Sequence, residues 1–126
     1  MDILEQFENY CIEGNLEKLK ELVNNDPNKL KEILGIQPNF DFYTFIEKVF
    51  YVICEKGYLD IAKWLYSLTP EINISYENDY VFRYVCYNNW ISIAKWLYSV
   101  KPNINIEVFD NCILKHCCKL GFFELL

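Results

Sequence analysis

The heptad IAKWLYS is spelled twice, at Ile61–Ser67 and again at Ile93–Ser99, an offset of 32 residues. Self-similarity at a fixed step of roughly 20–50 residues is the signature of a solenoid, in which each repeat covers the apolar face of its neighbour. Other residues keep the step. Cys54, Cys86 and Cys118 are spaced 32 and 32 apart, and each is followed three residues later by Gly57, Asn89 or Gly121. Gly and Asn are the residues that end a helix in the left-handed conformation. Pro38, Pro70 and Pro102 keep the same step and open PNFDF, PEINI and PNINI. Proline bars helix continuation, and the alternation after it predicts a short extended finger.

An earlier copy begins with Cys11 and Gly14, but Cys11 lies 43 residues before Cys54, an excess of 11 over the step. The excess falls between Gly14 and Pro38, around DPNKLKEIL, where Asp26 is placed as an N-cap and Pro27 as the first helical residue. The first repeat therefore carries a longer second helix or one additional short helix.

One repeat then has a defined order. A first helix runs to the Cys-x-x-Gly/Asn stop. A second helix follows with apolar residues at 61, 62, 64, 65 and 68, and at 93, 94, 96, 97 and 100, which is one wide helical face. Pro, finger and an acidic restart complete it, with Asp79 and Asp110 as N-caps of the next first helices and Thr44 to Glu47 as a capping box. The fold class expected is all-α: an α-solenoid of helix–turn–helix repeats in one domain, over 1–37 with the insertion, 38–69, 70–101 and an incomplete 102–126.

A helix pair plus an extended turn at about 33 residues is the ankyrin unit, and GYLDIAKWLYSLTPEIN (57–73) resembles its inter-helix glycine, acid, lysine, core leucine and finger asparagine, at Gly57, Asp60, Lys63, Leu65 and Asn73. Lys95, Leu97 and Asn105 match in the next repeat, with Asn89 replacing the glycine. The Thr-Pro-Leu-His opening of the family is missing; only its apolar third position remains, as Phe50, Phe82 and Leu114. The family's paired small residues become Ile53-Cys54, Val85-Cys86 and Cys117-Cys118. This degenerate style is similar to ankyrin-repeat proteins of giant DNA viruses of amoebae. The residue usage, 11 Lys against the single Arg83 with only two Ala, fits an AT-rich genome.

The resemblance implies a non-catalytic protein–protein interaction module that binds through the finger tips and the exposed face of the first helices. By position this selects Phe45, Glu47 and Glu55 in the second repeat, Tyr76, Glu77, Asp79, Tyr87 and Asn88 in the third, and Phe109 and Asn111 in the last. Rigid rings supply contact area at low entropic cost, and the acids would steer a basic partner. The last repeat stops within the first turn of its second helix, at GFFELL. The chain is then either a piece of a longer array or carries an end that another molecule covers, so self-assembly through the C-terminal repeat stands as the alternative.

Composition narrows the classes. The net charge of −6 and the lack of a Lys/Arg cluster argue against a nucleic-acid or anionic-membrane surface. MDILEQFENYC carries acids where a signal peptide needs cations, and no apolar run approaches the ~20 residues of a membrane-spanning helix. The cytoplasm or nucleus of a host cell is the expected location, and the six cysteines are expected as free thiols. Cys112, His116, Cys117 and Cys118 invite a zinc or thiol-based site, since Cys112 and His116 share a helix face. A closed zinc site needs four converging ligands, however, and no second cluster exists to complete it. Buried, inert thiols are the expectation there, with no catalytic residue and no cofactor. Trp64 and Trp96 are expected to fill the core, and Tyr66 and Tyr98 to be partly exposed.

Overall fold

Both copies of the heptad lie on helices, and both end in the same way. Lys63 and Ser67 face outward on the first copy while Ile61, Ala62, Trp64, Leu65 and Leu68 are buried, matching the apolar face read from the sequence. In each copy a serine hydroxyl donates back to a tryptophan carbonyl, Ser67 to Trp64 and Ser99 to Trp96, both at 2.6 Å. The last turn of each is closed by a backbone N–H four residues on, Thr69 to Leu65 at 3.0 Å and Lys101 to Leu97 at 2.9 Å.

The computed structural model describes residues 2–24, 26–34 and 42–101. Among these residues the regular structure is all helix, with no strand: α1 (Ile3–Glu13), α2 (Leu16–Val23), α3 (Pro27–Leu34), α4 (Phe42–Glu55), α5 (Leu59–Leu68), α6 (Tyr76–Tyr87) and α7 (Ile91–Val100). The chain divides into two compact units, Met1–Ile72 and Asn73–Leu126.

The first unit is built from two helix pairs and one extra helix. Asp2 caps α1 by accepting the Glu5 N–H at 2.8 Å, and Asn15 caps α2 by accepting that of Lys18 at 3.1 Å. The insertion carries α3, an additional short helix of eight residues. It starts at Pro27, with Asp26 accepting the Asn28 N–H at 3.0 Å, and it packs on α1 and α2, burying Leu30. α4 packs along α1 and folds back onto α5. Phe7, Phe50, Ile53 and Leu65 are fully buried in this unit. In the second unit α6 packs on α7, burying Phe82, Val85, Ile93 and Leu97. Phe50 and Phe82, one step of 32 apart, are both core residues.

The Cys-x-x-Gly/Asn stop takes one geometry three times. Gly14, Gly57 and Asn89 adopt φ of 75°, 82° and 60°. Each donates its N–H to the cysteine carbonyl three residues back, Cys11, Cys54 or Cys86, at 3.0–3.2 Å. The following residue, Asn15, Tyr58 or Trp90, donates to the carbonyl five residues back at 2.9–3.1 Å. These are the two bonds of a Schellman motif, which satisfy carbonyls that the helix leaves without a partner.

Three sequence expectations are corrected. Residues 70–75 form no extended finger: the segment is a run of turns, with Ile72 N–H donating to Thr69 O at 3.2 Å and Ser75 N–H to the Asn73 side chain at 3.0 Å. An asparagine side chain that mimics a backbone turn overrides an alternation only three apolar-spaced residues long. Asp79 is not an N-cap, since α6 starts at Tyr76 with Ser75 in the cap position. α4 starts at Phe42, so Thr44 lies inside its first turn instead of capping it. The fingers after Pro38 and Pro102 and the whole of 102–126, including Asp110 and Leu114, lie outside the described residues.

Candidate functional site

Within the first unit, α1 and α4 run side by side and leave an apolar groove of about 340 Å³ between them. Its α4 wall is Phe45, Lys48, Val49 and Val52, residues at i, i+3, i+4 and i+7 and so on one helical stripe. Glu8, Cys11 and Ile12 form the α1 wall with the same kind of spacing. The floor is fixed by packing beneath it. Cys11 is 2% exposed and Val49 9%, while the Phe45 ring lies 6.4 Å from that of the fully buried Phe7. Two apolar side chains open to solvent at the rims, Ile12 at 50% exposed and Val52 at 39%, beside the charged Glu8 and Lys48.

The groove's register is held by the turns at its end. The Tyr58 ring, at the α4–α5 turn, lies against Gly14 at the α1–α2 turn, so closely that a Cβ on Gly14 would fall 3.0 Å from Cζ. Tyr58 Oη donates to Ile12 O at 3.2 Å. One aromatic side chain thus ties the second helix pair to the end of the first.

The thiols near the groove are chemically quiet. Burial, reinforced by the Glu8 carboxylate, pushes the Cys11 thiol up from 9.0 to about 12. Burial and then Glu55 push the Cys54 thiol up as well. The thiolate is the nucleophile and the metal ligand, so burial disfavours both roles for these two groups near neutral pH. Cys86 is also buried and free. Among the described residues no group of three or more His, Cys, Asp or Glu could hold a metal ion. Cys112, His116, Cys117 and Cys118 lie outside them.

The structure separates the sequence-selected residues. Phe45 lines the groove, whereas Glu55, half-buried at the end of α4, is not among its lining residues. Glu47 sits on the other flank of α4, with Tyr51 and the buried Cys54. Asp79 is corrected: expected on the exposed face, it is 4% exposed, at φ 61° in the first turn of α6. Its Oδ1 accepts from Lys101 Nζ at 3.1 Å, an ion pair between side chains 5% and 25% exposed. Tyr87 is 57% exposed, and Trp90 and Ile91, also exposed, follow it in sequence around the α6–α7 turn of the second unit. Asn88 is exposed and donates its side-chain N–H to Tyr84 O at 2.9 Å, closing α6. The side chains of Tyr76 and Glu77, and all of Phe109 and Asn111, lie outside the described residues. Trp64 is buried as expected, Trp96 is only half-buried, and Tyr66 and Tyr98 are partly exposed.

Ile12, Lys48, Val52 and Lys101 were not singled out by sequence reasoning. Ile12 and Val52 carry a usable signal, since each extends an apolar stripe on its helix past the width needed for burial. Lys101 carries none, because its partner is 22 residues away. Comparison with protein-family models, with curated proteins and with solved structures finds no match. Among the described residues no helix is long and apolar enough to cross a membrane.

Proposed function

We propose that the chain is an ankyrin-like, non-catalytic recognition module that seats part of a protein partner in the groove between α1 and α4. The observation that carries this reading is the exposure of Ile12 and Val52 on either rim of a preformed apolar cleft. Exposed apolar surface arranged around a concave floor favours an interaction site over scattered surface residues. The repeated helix stop at a step of 32 supports the repeat architecture, and the raised thiols support an inert scaffold. The compartment that suits free thiols is the reducing cytoplasm or nucleus.

Affinity capture from an amoebal host lysate tests the proposal, comparing the wild-type chain with an Ile12→Glu/Val52→Glu variant whose helix content is first checked by circular dichroism. A protein retained by the first and lost by the second is the expected result. An identical set retained by both would refute the groove as the docking site.

A further inference from the structure

We infer that Lys101 is a latch that selects the longer of two starts open to α6, one at Tyr76 and a shorter one at Tyr80. The backbone of Asp79 points to it. Among the described residues five adopt positive φ, and four of them, Gly14, Asn24, Gly57 and Asn89, lie just past the end of a helix. Asp79, at φ 61°, is the one inside a helix. That region is uncommon for a residue with a side chain, and it persists where surrounding contacts impose it.

The imposing contact is the ion pair with Lys101. Asp79 Oδ1 accepts from Lys101 Nζ at 3.1 Å, and Ile74, Phe82 and Leu97 wall the pair around a void of about 10 Å³. A space of that size holds one water at most. The Lys101 backbone is itself fixed, since its N–H donates to Leu97 O at 2.9 Å and closes α7. One step of 32 earlier the same positions are Glu47, within α4, and Thr69, whose hydroxyl turns back to Leu65 O at 2.8 Å. There the helix end is satisfied within itself, so the ion pair is an addition to the repeat and not part of its pattern.

Local chemistry favours the other start. Ser75, in the cap position of the observed α6, makes no side-chain cap bond. Asp is among the best N-cap residues, with extended backbone and a carboxylate that accepts an N–H two or three residues on. Asp2 and Asn15 cap α1 and α2 in this way, each at i+3. With α6 begun at Tyr80, Asp79 would leave the left-handed region and accept the Phe82 N–H. One carboxylate thus has two exclusive uses. Paired with Lys101, it keeps residues 76–78 helical and holds Tyr76 and Glu77 on the α6 frame. Turned to the cap, it releases them. Ordering and release of a short segment is an established way to switch a surface.

NMR on the full chain tests this with Lys101→Met and with Lys101→Met/Asp79→Ala. In Lys101→Met the helical shifts of residues 76–78 should be lost and Asp79 should lose the coupling of positive φ, while the Phe82 amide stays protected. The double variant has neither pair nor cap, so Phe82 should exchange roughly fivefold faster than in Lys101→Met, the factor that one lost cap corresponds to. The wild type supplies a readout that does not depend on either variant folding: the amides of Asn78 and Asp79 should open together, in less urea than those of residues 84–86. Positive φ kept at Asp79 in Lys101→Met, equal Phe82 exchange in the two variants, or opening of Asn78 and Asp79 only with the whole chain would overturn the inference.

Discussion

Replacing Gly14 with Ala should destabilise the chain through two separable effects. The first is local: Gly14 adopts φ 75°, a conformation that costs an L-residue about 1–2 kcal/mol. The second is tertiary. The added Cβ would lie 3.0–3.2 Å from three atoms of the Tyr58 ring, tighter than nine in ten such contacts, so the ring must give way. Displacing the ring from its rotamer costs about 0.5–1.5 kcal/mol, and losing the Tyr58 hydrogen bond to Ile12 O costs a similar amount. The total expected is about 2–5 kcal/mol, of which about 1–2 is the local part. In a Tyr58→Ala background only the local part remains, so the two substitutions should couple by about 1–3 kcal/mol. Urea unfolding of the wild type, both single variants and the double variant, compared at constant m, measures this. Equal cost of Gly14→Ala in both backgrounds would refute the packing of Tyr58 on the first helix pair, and with it the clamp that holds the groove in register. A cost below about 1 kcal/mol would refute the left-handed stop itself.

Asn89 occupies the same stop at φ 60° with a side chain present, so Asn89→Gly should raise stability by up to about 1 kcal/mol in the same assay. Lys101→Met leaves the buried Asp79 carboxylate without its cation and should cost about 2–3 kcal/mol, scaled down from a fully buried pair because Lys101 is a quarter exposed; adding Asp79→Asn should recover most of it. With Cys112, Cys117 and Cys118 replaced by Ser, Cys11, Cys54 and Cys86 should resist a thiol reagent near neutral pH and react fully only in denaturant. The raised Cys11 thiol also fixes a pH dependence. Its contribution is fully present below the unfolded value of 9.0 and is lost as pH rises toward about 12, because the unfolded chain releases the proton first; urea midpoints should therefore fall across that window, and less so in Cys11→Ala. Light scattering over a concentration series should show a monomer, and a mass that grows with concentration would favour self-assembly over recognition.

Local signals were the legible part of this chain. Helix stops depend on one residue's backbone freedom, so Gly14, Gly57 and Asn89 announce themselves. The wide apolar face at 61, 62, 64, 65 and 68 is fixed by helical periodicity alone, and the Asp26-Pro27 start by capping chemistry. The segment after Pro70 misled because Ile72 and Ile74 alternate with polar residues for too short a run to decide between strand and turn, and the Asn73 side chain decides it locally. Asp79 misled for the opposite reason. Its fate depends on Lys101, and nothing within its own turn reports that partner. The groove was partly visible: Phe45 comes from a positional rule for first helices, whereas Ile12 and Val52 line one groove only once α4 has packed on α1 past two intervening helices.

The central claim is that one helix stop, repeated, builds the helix pairs on which everything else rests, and backbone amide exchange measured by NMR tests it most directly. Asn15, Tyr58 and Trp90 lie just past helix ends, yet each donates to a carbonyl five residues back. All three amides should exchange slowly, and Gly14, Gly57 and Asn89 should show the couplings of positive φ. Rapid exchange at Tyr58 and Trp90, or helical shifts running unbroken through residues 56–58 and 88–90, would contradict it.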